Sequence, residues 1–298
     1  MTPSLALGTH LCRDVPGAAA FAAALGATWI DTAPNYRGGS AHHDLAPALR
    51  THPGISVSTK VGFISRTAAL EAVAAGAITP AQAEEGHSLR PSYVRWQTER
   101  STVELGRHPE VVFLHNPERI GERNAVLAAI SRAFETLEEL VAAGLIGGYG
   151  VATWSGFSAG TFTVADLVDA AYRTAGSRHH LRAIQLPVSL VALDAAVEAL
   201  DRAGPIGTAA AAGLDVFASS PLHGGDLPGM ITGDLVELIH PGLKPPEAAL
   251  HVVASTPGIS RILLGTSNAA HWQRALRALE LPPMPAAALR EIHRVLSP

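Results

Sequence analysis

Residues 111–115 read VVFLH, and this short run decides the fold. Four apolar residues follow one another without the alternation of a half-buried strand, and the run closes on a histidine. A strand that is apolar on both faces belongs in a parallel sheet covered by helices. Similar runs stand on either side of it. Before it come residues 5–9 (LALGT), 28–32 (TWIDT) and 55–60 (ISVSTK); after it come 148–152 (GYGVA), 183–186 (AIQL), 215–219 (DVFAS) and 261–265 (RILLG).

Amphipathic stretches fill the gaps, among them residues 15–25, 92–105, 124–143, 245–254 and 269–279. Pro16 and Pro91 mark starts, and Gly26, Gly106 and Gly144 fall just past ends, where each residue type suits the backbone. Eight strands, each followed by helix and with no break in composition, predict an α/β fold. The expectation is a single (β/α)8 TIM barrel domain over residues 1–298. Residues 62–91 form a long βα connection with a helical patch at 67–75, expected as a loop over the active site.

Composition narrows the function. The chain has 298 residues, 47% of them hydrophobic, and a formal net charge of −4. That balance gives no reason to expect nucleic acid or an anionic membrane as partner. Cys12 is the single cysteine, which excludes an intramolecular disulfide and a cysteine-based metal cluster. The opening MTPSLALGTHLCRD lacks a basic n-region with an apolar run, so a cytoplasmic protein is expected. Oligomeric state is open between a monomer and a small homo-oligomer.

Barrel active sites sit at the C-terminal ends of the strands. Those positions hold Asp31, Tyr36 just beyond it, Lys60, His115, Thr153, Gln185, Ser219, Ser220, Thr266 and Ser267. Taken singly, Asp31 could cap a turn, Tyr36 could be a rim aromatic and His115 a packed core histidine. Lys60 resists such a reading. Lysine occurs only at Lys60 and Lys244, arginine supplying nearly all the positive charge, and Lys60 ends an apolar strand. A buried lysine needs a counter-charge or a lowered pKa, and Asp31 on the neighbouring strand is the obvious partner. An ammonium beside a phenol favours phenolate, so the Tyr36 pKa is expected to fall towards neutral. With His115 as a hydrogen-bond donor, the cluster could move protons at a carbonyl oxygen. No metal-ligand spacing is present; the His42–His43 and His179–His180 pairs read as solvated or packing residues.

The motifs that hold these residues resemble those of the aldo-keto reductases. GATWIDTAPNY resembles the family's Asp-Thr-Ala-x-x-Tyr segment, STKVG its lysine strand and VVFLHNPE its histidine strand. GLIGGYGVATW, AIQLPVSL, SSPLHGG and ILLGTSNAAHWQRAL follow in the family's order, so the resemblance spans nearly the whole chain. It implies reduction of a small-molecule ketone or aldehyde, with Tyr36 as general acid assisted by Lys60, Asp31 and His115. It also implies NADPH, or NADH, held by Thr153, Gln185, Ser219, Leu222, Gly265, Ser267 and Arg274. His10, Trp154 and His223 would line the substrate pocket, and biosynthesis is the expected setting.

Departures lie on the cofactor side. Ala152 and Thr153 stand where the family often has Ser-Asn, and Ser219 where a tyrosine stacks on the nicotinamide. Ser267 replaces a basic residue, Ala275 an asparagine near the adenine and His42 a glutamate. These losses open a second expectation: a non-redox enzyme without cofactor, catalysing elimination, isomerisation or cyclisation with Tyr36 and His115.

Overall fold

The structure, a computed structural model, describes residues 2–297. Its first four strands are β1 (Ser4–Gly8), β2 (Trp29–Asp31), β3 (Ser56–Val61) and β4 (Val111–His115). They are followed by β5 (Tyr149–Ala152), β6 (Leu181–Pro187), β7 (Asp215–Ser219) and β8 (Arg261–Leu264). All pair in parallel and in sequence order, and β8 returns to β1, so the sheet closes into a barrel. The expected (β/α)8 architecture is thereby found.

Period-two alternation sorts the strand side chains into two cores. Ala6, Trp29, Val111, Phe113, Ala152, Ala183, Phe217 and Leu263 point inward and fill the barrel. Leu7, Ile30, Val57, Val112, Leu114, Val151 and Ile184 point outward into a larger core shared with the helices. The interior is tightly filled: a side chain at Gly150 would stand 2.7 Å from the Phe113 ring, so glycine is required there.

Helices cover the outside. They begin with α1 (Val15–Ala24), α2 (Ala41–Thr51), α3 (Arg66–Ala74), α4 (Pro80–Glu84) and α5 (Pro91–Leu105). Next come α6 (Arg123–Ala142), α7 (Val164–Ala175), α8 (Asp194–Leu200) and α9 (Gly204–Ala211). The chain finishes with α10 (Gly233–Ile239), α11 (Pro245–Ala254), α12 (Ala269–Glu280) and α13 (Ala286–Leu296). Local chemistry sets the ends. Asp14 caps α1 by accepting from the Gly17 amide at 3.0 Å, and α5 stops at Gly106 with φ +67°.

The connection after β3 is more folded than a loop. It contains α3 and α4, the latter with a Thr79–Gln82 capping box, and Phe63 bridges His87 across its base. Ala72, Ile78 and Tyr93 form a small core of its own, joined by Ile64, Val73 and Trp96. The segment therefore packs on α5, and Phe63 is the part of it that lines the central cavity.

Candidate active site

Register brings the ionisable strand ends together. Asp31 lies beside Ser58, Lys60 beside Phe113, His115 beside Ala152 and Ala152 beside Gln185. Because alternate residues face inward, Asp31, Lys60, His115 and Gln185 all project into the mouth of the barrel.

Lys60 is buried at 2% exposure and forms an ion pair with Asp31; its ammonium also donates to the Thr32 carbonyl oxygen at 3.0 Å. Burial opposes the charge, but Asp31 outweighs it with help from Tyr36, and the lysine pKa ends above its usual value. Lys60 is therefore a fixed cation. Its nitrogen lies 5.0 Å from the centre of the Tyr36 ring.

Tyr36 opens a short 3-10 turn after β2, with its amide held by the Ala33 carbonyl at 3.1 Å. Arg37, at φ +53°, ties this turn down by donating to the carbonyls of Cys12 and Arg13 and pairing with Asp44. The phenol corrects the expectation drawn above. Burial pushes its pKa up, and Lys60 pulls it back only in part, so the group is raised. An ammonium lowers a phenol only to the extent that desolvation lets it. Tyr36 consequently holds its proton at neutral pH.

His115 lies 6.0 Å from the Tyr36 ring, edge-on, and 4.7 Å from Phe63. Burial first, then Lys60, His87 and His10, hold its pKa well below the usual value, so the ring is neutral. A neutral imidazole has one N–H to give and does not compete with Lys60 for the carboxylate. His10 packs on the other side of Tyr36 at 4.8 Å.

Asp31, Tyr36, His115 and His10 border a cavity of about 520 Å³, with Lys60 buried behind Asp31 and Tyr36. Thr153, Trp154, Gln185, Ser219, Leu222, His223 and Gly265 also line it. Thr153 accepts from the Gly156 amide at 2.8 Å, which spends its hydroxyl on the loop. Trp154 is 53% exposed, 6.4 Å from the His223 ring, with its amide bound to Glu118. A Cβ on Gly265 would stand 2.9 Å from the His10 carbonyl oxygen, so the close crossing needs glycine. The amide nitrogen of Gln185 is buried with no hydrogen-bond partner.

Ser267 and Arg274 lie elsewhere. The Ser267 hydroxyl accepts from the amides of Arg13 and Asp14, both at 3.0 Å, and Arg274 pairs with Glu247 at 3.4 Å. Sequence reading missed Asn35, Phe63 and Asn116 among the cavity residues. Asn35 and Asn116 adjoin Tyr36 and His115 in the chain, a signal that could have found them; Phe63 needed the fold. His42 is a packing residue, wholly buried between Glu104 at 2.9 Å and Thr59 at 2.8 Å. Among the described residues no group of three or more His, Cys, Asp or Glu is placed to hold a metal. No helix of the described residues is long and apolar enough to cross a membrane.

The fold and the site define a barrel enzyme with a buried acid–base cluster at the strand ends. The Aldo/keto reductase family matches residues 16–237, and the chain belongs to that family of oxidoreductases. Its fold is similar to that of an aldo-keto reductase from Bacillus halodurans in its holo form. That match has a TM-score of 0.70 and 18% identity, covering 100% of this chain and 93% of that one. It is also similar to an aldo-keto reductase from Klebsiella pneumoniae in complex with NADPH, with TM-score 0.67, 20% identity and coverage of 99% and 91%. An aldose reductase from Schistosoma japonicum matches with TM-score 0.65, 15% identity and coverage of 98% and 88%. The comparison with curated proteins finds no match.

Proposed function

We propose that this chain reduces a small-molecule ketone or aldehyde to an alcohol with NADPH, Tyr36 being the general acid. The observation that carries the reading is the convergence of Tyr36, His115 and Asp31 on the cavity, with Lys60 paired to Asp31 behind them. The cavity also fits a nicotinamide. The unpartnered Gln185 amide is a donor for its carboxamide, and Ser219, Leu222 and Gly265 border the adjoining wall. NADPH, when bound, supplies hydride to the carbonyl carbon.

The chain's own residues handle the oxygen. His115 donates its single N–H to the carbonyl and orients it. Tyr36, protonated at neutral pH, gives its proton to the oxygen as charge develops there. Lys60 then stabilises the phenolate left behind, and Asp31 keeps the ammonium in place. In this reading the enzyme is cytoplasmic, a monomer or small homo-oligomer, and its substrate meets His10, Trp154 and His223.

One observation favours the non-redox alternative. No Lys or Arg is among the residues lining the cavity, while Ser267 and Arg274 are engaged elsewhere. A cofactor phosphate would find few charge-assisted partners in this arrangement. Titration with NADPH and with NADH, followed by tryptophan fluorescence with Trp154 at the cavity, separates the readings. Saturable binding, with carbonyl reduction abolished by Tyr36→Phe and affinity retained, is expected. Absence of binding by either nucleotide overturns the reductase in favour of cofactor-free acid–base chemistry.

A further inference from the structure

Behind the Lys60–Asp31 pair lies a polar chain that runs inward along the barrel. The Trp29 indole nitrogen donates to the Ser58 hydroxyl at 3.0 Å, and that hydroxyl donates to Asp31 Oδ1 at 2.8 Å. Asp31 Oδ2 takes the Lys60 ammonium. Ser58 is wholly buried and Asp31 is 3% exposed, so both rely on protein partners for these hydrogen bonds. The direction of every bond is fixed by chemistry. An indole N–H can only donate and a carboxylate can only accept, so the single Ser58 proton is committed to Asp31. The other end is fixed too, because the Arg261 guanidinium lies 4.2 Å from the Trp29 ring centre and Phe217 packs against that ring edge-on.

We infer that Ser58, locked by Trp29, is a positioning residue that aims the Asp31 carboxylate at Lys60 and so sets where the ammonium sits beneath Tyr36. A carboxylate has two equivalent oxygens and a torsion that is soft by itself. With Oδ1 held by Ser58, Oδ2 is the oxygen left for Lys60, and rotation would break a buried hydrogen bond. Without the hydroxyl, the carboxylate turns and the ion pair loosens. The inference rests on the reading of Tyr36 as the acid only for its consequence in turnover. The placement of Lys60 can be measured without substrate or cofactor.

The chain's lysine usage makes that measurement direct. Lys60 and Lys244 are the only lysines, so NMR of isotope-labelled lysine Cε gives one buried signal and one reference. In the intact protein the Lys60 signal is expected to stay that of a charged lysine as pH rises through the ordinary lysine range. In Ser58→Ala its midpoint is expected to fall by about one pH unit, a tenfold loss in proton affinity. Ser58→Thr, which keeps the hydroxyl, should restore it. A Lys60 signal in Ser58→Ala that titrates as in the parent overturns the inference. So does an equal change in Ser58→Thr, because packing rather than the hydroxyl would then be responsible. Should Ser58→Ala not fold, Ser58→Cys keeps the side chain's length with a weak donor, and the same outcomes decide. Failure here would leave NADPH binding untouched, so it is distinguishable from failure of the reductase reading.

Discussion

The His87 ring donates from Nε2 to the main-chain oxygen of His115 at 2.7 Å, tying the segment after β3 to the strand that carries a site residue. A carbonyl only accepts, so His87 is protonated at Nε2, and its Nδ1 is buried without a partner. His87→Ala should cost about 1–3 kcal/mol of stability by removing a donor from a buried carbonyl. It should also free Phe63, so limited proteolysis within residues 62–91 should accelerate while the barrel stays intact. Unchanged cleavage would mean that the small core around Tyr93 holds the segment alone.

Acid should weaken the fold through histidine. Burial is the leading cause that keeps His42, His87 and His115 below their usual pKa of 6.5. Below pH 6.5 the unfolded chain takes up protons there that the native state refuses, so stability is full above that pH and falls as pH drops. Each histidine still neutral in the native state contributes a slope of about 1.4 kcal/mol per pH unit. Urea unfolding at a series of pH values from 8 to 5 would show it, and a flat profile would exclude the mechanism.

Asp31→Asn leaves Lys60 buried and charged without its counter-ion, and about 3–5 kcal/mol should be lost. Lys60→Met is expected to cost a similar amount by stranding the carboxylate. The double variant should lose clearly less than the sum, since neither charge is then unpaired. Lys60→Arg should not rescue, because a planar fork cannot occupy the place of a compact ammonium. Chemical denaturation of the four proteins completes the cycle, and additive losses would mean that the two groups act independently.

Gln185→Leu separates stability from binding. The buried amide nitrogen has no partner, so an apolar side chain of similar size should raise the unfolding free energy by about 1 kcal/mol. NADPH affinity should fall by about tenfold, the worth of one good hydrogen bond. Calorimetry and fluorescence titration check the two halves separately. A variant that binds NADPH as well as the parent would remove Gln185 from the cofactor site.

Much of this was legible in the chain. Asp31, Lys60 and His115 close apolar runs, with Tyr36 just beyond the Asp31 strand, and one scarce lysine among arginines called for a partner. Ser58 and Trp29 were not legible, because a mid-strand serine acquires meaning only when the β2–β3 register sets it beside Asp31. The direction of the Tyr36 shift also escaped, since sequence supplies the neighbouring charge but not the depth of burial against which it works. Ser267 and Arg274 looked available in a linear reading; the fold gives one to the Arg13 and Asp14 amides and the other to Glu247. The length of the segment after β3 was plain, but its packing on α5 depends on Ile78 and Tyr93 meeting in space.

Phe113, Phe217 and Trp29 interlock inside the barrel, with ring centres 5.5 Å apart or less between neighbours. Together with Arg261 above two of those rings, they stopper the lower end of the tube. The cavity that Tyr36 lines lies at the opposite end, by the C-terminal ends of the strands. In the reductase reading proposed above, a bound substrate would stand between the Tyr36 phenol and solvent on that side.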